Sequence, residues 1–195
     1  MSWTALVPMK RKGVQKSRLA GRLSDSERAA LMEFMAAHVL NVLADAPEIA
    51  RVLVLSPDAP VLPRFGWVED KGRGLNEELS AFQKTLESGG LLIVHGDVPL
   101  LTGAAIGEML CAAEAAGCAI APDRHGTGTN ALALKTPGSF VFAFGEGSFA
   151  KHLSAFPDAA VVRIEALSHD VDTPDDLEAA RANGFRWDAP PYPSR

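Results

Sequence analysis

Three aspartates lie in two short segments whose residue types suit the binding of a divalent cation. Asp97 follows Gly96 in the segment HGDVPLL, and Asp170 and Asp172 lie two positions apart in HDVDTPDDL. Residues two apart project from the same face of an extended chain, and two carboxylates on one face repel unless a cation lies between them. Mg²⁺ takes one or two carboxylates together with phosphate oxygens and water. The two segments therefore suit a phosphate-bound Mg²⁺ if the fold brings them together.

Each acidic segment also has an ordinary structural interpretation. Asp97 can be a turn residue before a helix. Asp172 or Thr173 can cap a helix that starts at Pro174, because Asp and Thr are favoured caps and proline suits the first helical position. A cap at Thr173 and a metal site at the two aspartates are compatible, so both interpretations stay open.

A basic stretch, KRKGVQKSRL, follows the first predicted strand and includes Lys10, Lys16 and Arg18. Cations and backbone N–H groups in a strand-to-helix loop can hold the phosphates of a nucleoside triphosphate and stabilise departing pyrophosphate. The alternative is a solvated basic turn, since clusters of charge are common on protein surfaces. The stretch lacks the GxxxxGK[ST] pattern, which excludes a P-loop.

Three glycine-containing segments are candidates for holding anions or a base. PDRHGTGTNAL, with Thr129, is expected to be a flexible loop that presents N–H and hydroxyl donors to a phosphate or carboxylate. FGEGSF, with Gly145 and Ser148, precedes a helix predicted to begin near Phe149, where the unpaired N–H groups form an anion site unless Ser148 is only the helix cap. GRGLN, residues 72–76, is a glycine turn that can frame a purine base.

Strand-like and helix-like segments alternate along the chain, which predicts a parallel sheet covered by helices. The predicted strands are Trp3 to Pro8, Arg51 to Leu55, Gly90 to His95, Cys118 to Pro122 and Ala160 to Ile164. The predicted helices, besides the one near Phe149, are Ser24 to Leu43, Leu75 to Ser88, Thr102 to Ala116 and Asp175 to Asn183. The expected fold class is a three-layer α/β/α sandwich, in which ligands bind at the carboxyl ends of the strands.

Composition limits the kind of partner. The 195 residues are 47% apolar and 22% charged, with a net charge of −5, so a folded core is expected and nucleic-acid binding is not. Cys111 and Cys118 lack the spacing of a zinc site. With no signal-peptide pattern and no apolar run long enough for a membrane span, a cytoplasmic protein without membrane contact is expected. Residues 1–186 are predicted to form one domain, and residues 187–195 an irregular tail.

Six segments together resemble one family. VPMK…KSRL, GLN, GDVPLL, PDRHGTGTNAL, FGEGSF and DVDTPDDL occur in this order between residues 6 and 177. They are similar to the CofC-type guanylyltransferases of coenzyme F-420 biosynthesis. The resemblance implies a nucleotide-diphospho-sugar transferase fold, related to GT-A and Rossmann folds. It also implies transfer of GMP from GTP to a phosphorylated three-carbon acid, with release of pyrophosphate.

The resemblance further implies roles for individual residues. Mg²⁺ would be bound by Asp97, Asp170 and Asp172, with Asp97, Lys16 and Arg18 acting in catalysis. Thr129, Gly145 and Ser148 would hold the acid, and Lys10, Lys16, Arg18, Gly74 and Asn76 the nucleotide. The acceptor is left open between 3-phospho-D-glycerate, phosphoenolpyruvate and 2-phospho-L-lactate. A homodimer and hand-over of the product to a downstream transferase are also left open.

Two other functions compete with this interpretation. A sugar-phosphate or molybdopterin nucleotidyltransferase has the same fold and the same use of aspartates, but usually opens with a glycine-rich LxGGxxxRM loop, where this chain reads VPMKRKGVQKSRL. A non-catalytic nucleotide-binding protein would not need Asp97, Asp170 and Asp172. The guanylyltransferase is therefore the preferred prediction.

Overall fold

A seven-stranded mixed sheet forms the centre of the computed structural model, which describes residues 2–9, 16–59, 64–138 and 140–188. The strands are β1 Trp3–Pro8, β2 Ile49–Ser56, β3 Gly66–Glu69, β4 Gly90–Val94, β5 Cys118–Pro122, β6 Thr129–Leu134 and β7 Ala160–Val161. Their order across the sheet is β3-β2-β1-β4-β6-β5-β7. The helices are α1 Asp25–Asp45, α2 Leu75–Gln83, α3 Gly103–Ala116, α4 Ser148–Ala155, α5 Glu165–Ser168 and α6 Pro174–Ala182, with a 3₁₀ turn at Ser17–Leu19.

Helices cover both faces of the sheet, which confirms the predicted α/β/α sandwich. Alternate residues of β1 point to opposite sides: Ala5 and Val7 pack with α1, α3 and α5, and Leu6 packs with α2, α4 and the phenylalanines of residues 140–144. The strand period of two produces this separation, because neighbouring side chains leave the sheet in opposite directions. The strands are therefore apolar throughout, as a sheet covered on both faces requires.

The prediction that the segment PDRHGTGTNAL, residues 122–132, forms one loop is wrong in its last part. Thr129–Leu134 is a strand, β6, that runs antiparallel between β4 and β5, and each of its six residues is buried. The short turn after β5 reverses the chain, so β6 pairs with β5 as a hairpin. Because glycines and threonines precede it, this apolar run in the centre of the sheet was predicted as part of a loop. Strand β3 was also missed, and β7 is shorter than predicted.

Local signals located the helix starts accurately. Ser24 and Glu27 form a capping box at α1, and Thr102 caps α3 through the N–H of Ala105. Thr173 caps α6, and Pro174 is its first residue. At α4 the cap is Gly147, in a left-handed conformation, so the interpretation of Ser148 as the cap is wrong.

A third cluster of apolar residues lies around the end of the described chain. Trp187 and Phe185 are buried with Leu19, Val171 and Leu177, among others. The packed part of the chain therefore reaches Trp187, and residues 189–195 of the predicted tail lie outside the described residues. Within the described part of the chain, no helix is both long and apolar enough to cross a membrane.

Candidate active site

The two acidic segments meet at the carboxyl end of β4. Asp97 lies in the turn after β4, and its carbonyl oxygen accepts a hydrogen bond from the N–H of Val171 at 3.1 Å. Val171 separates Asp170 from Asp172 and is itself buried, so the two aspartates lie on the more accessible side of this segment. The backbone contact thus brings Asp97 to Asp170 and Asp172, which lie more than 70 residues further along the chain.

Lys16 lies between two of these carboxylates. Its Nζ donates to Oδ2 of Asp97 and to Oδ1 of Asp172, each at 2.5 Å. The lysine side chain is only 5% exposed, whereas that of Asp172 is 52% exposed. Lys16 is the one non-glycine residue with positive φ, 59°, in the part of the chain that the structure describes. Few lysines adopt this conformation, and here it accompanies two ion pairs.

Burial and neighbouring charges shift the pKa values of Lys16 and Asp97 in opposite directions. Burial alone would lower the pKa of Lys16, but the charges of Asp97 and Asp172 raise it above its ordinary value. Burial alone would raise the pKa of Asp97, but Lys16 holds it below the ordinary value. Asp170 forms no ion pair with a described residue, and burial, with the charge of Asp97, raises its pKa to about 6. The site therefore holds more negative charge than Lys16 neutralises.

The oxygen atoms at this site suit a hard divalent cation. Oδ1 of Asp97 is buried and has no hydrogen-bond partner among the described residues. The ammonium group of Lys16 already occupies a position between two carboxylates, as a metal ion would. Within the described ranges, no three His, Cys, Asp or Glu residues form a ready-made metal site. Mg²⁺ uses few protein ligands and completes its shell with phosphates and water.

The acidic segment that contains Asp170 and Asp172 is held in place by side chains from the β5–β6 hairpin. Asn130 donates its amide N–H to the carbonyl of Leu167 at 3.0 Å and to Oδ1 of Asp170 at 3.1 Å. Arg124 donates from Nε and Nη2 to Oδ1 of Asp176, at 3.0 and 2.6 Å. Residues 123–130 therefore contact both ends of the segment that contains Asp170 and Asp172.

The turn between β5 and β6 uses its own donors internally. Asp123 accepts hydrogen bonds from the N–H groups of Thr127 and Gly128, both at 2.8 Å, and from the hydroxyl of Thr127 at 3.0 Å. A side chain at Gly128 would meet the Asp123 carboxylate at 2.8 Å, so only glycine allows this approach. The expected flexible loop is thus a closed turn, and these three donors are not available to a ligand.

Thr129 and Ser148 form a second, uncharged group around His152. Nε2 of His152 accepts the N–H of Ala143 at 3.0 Å, so the neutral ring carries its proton on Nδ1 and donates it to Oγ1 of Thr129 at 3.0 Å. Ser148 donates to the same Oγ1 at 3.3 Å. Burial lowers the pKa of His152 to about 4. The hydroxyl of Thr129 accepts both bonds, which leaves its own proton for a further acceptor.

The third group joins the two glycine segments that were expected to hold the base and the acid. The side-chain amide of Asn76 accepts the N–H of Phe144 at 2.8 Å and donates to its carbonyl at 3.1 Å. Gly145, the next residue, is exposed with φ of 117°, a conformation that favours glycine. Gly74 precedes α2 and is also exposed. Asn76 therefore aligns the two segments, and its binding of a nucleotide stays a prediction.

The three groups are neighbours. Asn130 follows Thr129 in β6 and contacts Asp170, and its carbonyl accepts the N–H of His95 at 3.0 Å. The ring of His95 lies 5.3 Å from that of Phe144. Arg18 is exposed on the 3₁₀ turn, and Lys10 lies outside the described residues. Arg124, Asn130 and His152 were not among the site residues predicted from the sequence, and their tertiary contacts reveal their roles.

Comparisons with known proteins identify the family. The sequence profile of the family described as "Guanylyl transferase CofC like" matches residues 3–184. The chain is 40% identical over 190 residues to the phosphoenolpyruvate guanylyltransferase of Sphaerobacter thermophilus, covering 91% of this chain and 92% of that one. It is 38% identical over 197 residues to the protein of the same name from Rubrobacter xylanophilus, covering 94% and 96%.

Solved structures support the fold. A Desulfovibrio desulfuricans protein assigned to the nucleotide-diphospho-sugar transferases has a TM-score of 0.74 at 19% identity, over 94% of this chain and 89% of that one. A CMP:2-keto-3-deoxy-manno-octonic acid synthetase solved with CTP has a TM-score of 0.62 at 12% identity, over 94% and 98%. At these identities the similarity establishes the nucleotide-diphospho-sugar transferase fold.

Proposed function

We propose that this chain, which belongs to the CofC-like guanylyl transferase family, transfers GMP from GTP to phosphoenolpyruvate. Pyrophosphate is released, and the reaction belongs to coenzyme F-420 biosynthesis. The observation that carries the proposal is the meeting of Lys16, Asp97, Asp170 and Asp172 at the carboxyl end of the central strands. In open α/β sheets this is the edge where ligands bind. The names of the curated relatives favour phosphoenolpyruvate among the three candidate acids.

The reaction is a substitution at the α-phosphorus of GTP. A phosphate oxygen of phosphoenolpyruvate attacks that phosphorus, a new P–O bond forms, and the bond to the oxygen that bridges the α- and β-phosphates breaks. Pyrophosphate leaves with the electron pair of the broken bond. The attacking phosphate is already an anion at neutral pH, so no general base is needed, and catalysis depends on positioning and on stabilising charge.

Charged and uncharged residues of this chain are assigned to different substrates. Lys16 supplies a buried cation beside the reacting phosphates, with Arg18 and Lys10 as further cations from the basic stretch. The hydroxyl of Thr129, with Ser148 and the exposed turn at Gly145, would hold the acid. Gly74 and Asn76 would frame the base. This assignment places uncharged donors around the small acid and cations around the triphosphate.

Mg²⁺ fits the excess negative charge of the acidic group. It would be held by Asp97, Asp170 and Asp172, with the buried and unpartnered Oδ1 of Asp97 as one ligand. When bound, it would neutralise phosphate charge and reduce the repulsion between two anionic substrates. Lys16 uses one oxygen of Asp97 and one of Asp172, so the other oxygen of each carboxylate remains for the metal.

The direct test is pyrophosphate release with Mg²⁺ and GTP. Phosphoenolpyruvate, 3-phospho-D-glycerate and 2-phospho-L-lactate are added in separate reactions, and each is repeated with ATP. The expected result is release with GTP and phosphoenolpyruvate, together with a product whose mass equals GMP joined to the acid. Release with another acid would replace the acceptor but keep the reaction. No release by folded protein in any reaction would refute guanylyl transfer to these acids.

A further inference from the structure

Asp176 links the acidic segment to the β5–β6 hairpin. One of its oxygens, Oδ2, accepts the N–H groups of Asp172 and Thr173 at 3.2 and 2.8 Å and the Thr173 hydroxyl at 2.7 Å. The other oxygen, Oδ1, accepts both N–H bonds from Arg124. The Asp176 side chain is 10% exposed and that of Arg124 is 28% exposed. The carboxylate thus joins the backbone of Asp172 to a cation on a neighbouring element.

The hairpin holds the acidic segment at two points. Asn130 contacts Asp170 at one end of the segment, and Arg124 holds Asp176 beyond the other end. Between these points, the only backbone hydrogen bond that links the segment to the opposite side among the described residues is that from Val171 to Asp97. Asp172 itself is largely exposed, so packing contributes little to its position. Without Arg124, Asp176 would still cap α6, but the segment would lose its link to the hairpin at that end.

We propose that Arg124 is a positioning residue for the metal site: through Asp176 it sets the distance of Asp172 from Asp97. The proposal rests on the assignment of Mg²⁺ to Asp97, Asp170 and Asp172. Residues that orient metal ligands typically change metal affinity or activity about 10- to 100-fold when mutated. Lysine cannot replace the arginine fully, because its single ammonium group does not reproduce a donor pair fixed in one plane.

The test compares Arg124→Gln with Glu178→Gln. Glu178 also lies on α6 and pairs with an arginine, Arg22 at 3.0 Å, but both side chains are more than 60% exposed and neither contacts residues 170–173. Arg124→Gln should raise the Mg²⁺ concentration for half-maximal activity about tenfold, with an unchanged KM for GTP at saturating Mg²⁺. Arg124→Lys should give an intermediate value, and Glu178→Gln should match the wild type.

Hydrogen exchange provides a readout that needs neither metal nor turnover. The amides of Asp172 and Thr173 donate to Asp176. Arg124→Gln removes one anchor of that carboxylate, so the exchange of both amides should become about threefold faster in metal-free protein. Glu178→Gln should leave it unchanged. Mass spectrometry of peptides that cover residues 169–176 measures this exchange.

The outcomes separate this proposal from the proposed function. Inactivity of the wild-type protein with all three acids would count against the function, whereas the exchange comparison would still decide the role of Arg124. Equal exchange and an equal Mg²⁺ requirement in Arg124→Gln and wild type would overturn the proposal. So would a lower melting temperature without a change in either readout, since that identifies a merely structural ion pair.

Discussion

The acidic group and the His152 group lie next to each other but are organised in different ways. In the His152 group, Thr129, Ser148 and the ring are neutral, buried and joined by hydrogen bonds. In the acidic group, three carboxylates face one ammonium, and Oδ1 of Asp97 has no partner among the described residues. In the first arrangement only the hydroxyl proton of Thr129 is left for a ligand, whereas the second gains stability from an added cation. We therefore expect the acidic group to respond most to substitution and to metal.

The largest effect is expected for Asp97→Asn. The substitution keeps the shape but removes the charge that faces Lys16, so turnover should fall on the order of 10²- to 10³-fold, comparable to the loss of one transition-state contact. Stability should change far less than activity. Pyrophosphate release and urea unfolding of the same preparation measure the two effects. A variant with near wild-type turnover would remove Asp97 from the mechanism.

Lys16→Met should produce a metal-dependent change in stability. Removing the ammonium leaves Asp97 as a buried charge without its partner, which costs about 3 kcal/mol in comparable pairs. Added Mg²⁺ should restore more of the melting temperature in this variant than in the wild type, since it can replace the lost cation. Lys151→Met is the control, because Lys151 is exposed and, among the described residues, its ammonium group donates to the Glu146 carbonyl and forms no ion pair. Equal Mg²⁺ effects in all three proteins would contradict a shared cation site.

The His152 group should make the free energy of unfolding depend on pH. Burial depresses the pKa of His152 to about 4, so between pH 6.5 and 4 the unfolded chain binds a proton that the folded chain does not. Its contribution to the free energy of unfolding should fall as the pH is lowered through this window, by about 3 kcal/mol in total. His152→Asn should lose this dependence. The measurement is urea unfolding at several pH values in EDTA.

Over part of the same pH range, Asp170 should change the free energy of unfolding in the opposite direction to His152. Its raised pKa of about 6 means that the folded state takes up a proton first, so its contribution to stability should rise as the pH falls from about 6 to 4. Asp170→Asn should therefore steepen the loss of stability in acid relative to wild type. An unchanged or shallower slope would show that folding does not raise the pKa of Asp170.

The smallest effect is expected for Ser148→Ala. The variant loses one hydrogen bond to Thr129, which should lower stability by about 1 kcal/mol, and it should raise the KM for phosphoenolpyruvate with little change in kcat. Ser154→Ala is the matched control on the same helix, because its hydroxyl is exposed and bonds only to the Ala150 carbonyl. A KM equal to that of the control would limit Ser148 to a structural role.

Local patterns in the sequence predicted much of the framework. The bounds of β1 and β5 match the prediction, and the caps at Ser24, Thr102 and Thr173 start helices where expected. These features depend on neighbouring residues alone. Strand β6 was missed because its ends carry turn residues, and its burial depends on β4 and β5, which pair with it on both sides.

The sequence by itself determined the residue types at the site: three aspartates suited to a cation, a basic stretch, and glycines beside hydroxyl groups. The family follows from the order of those segments, and the profile match over residues 3–184 confirms it. Tertiary structure alone decided which groups meet, because a hydrogen bond such as that from Val171 to Asp97 has no signature in local spacing. It also gave Asp123 and Asp176, which were not candidate site residues, their hydrogen-bonding roles, since polar side chains that are shielded from water need partners within the fold.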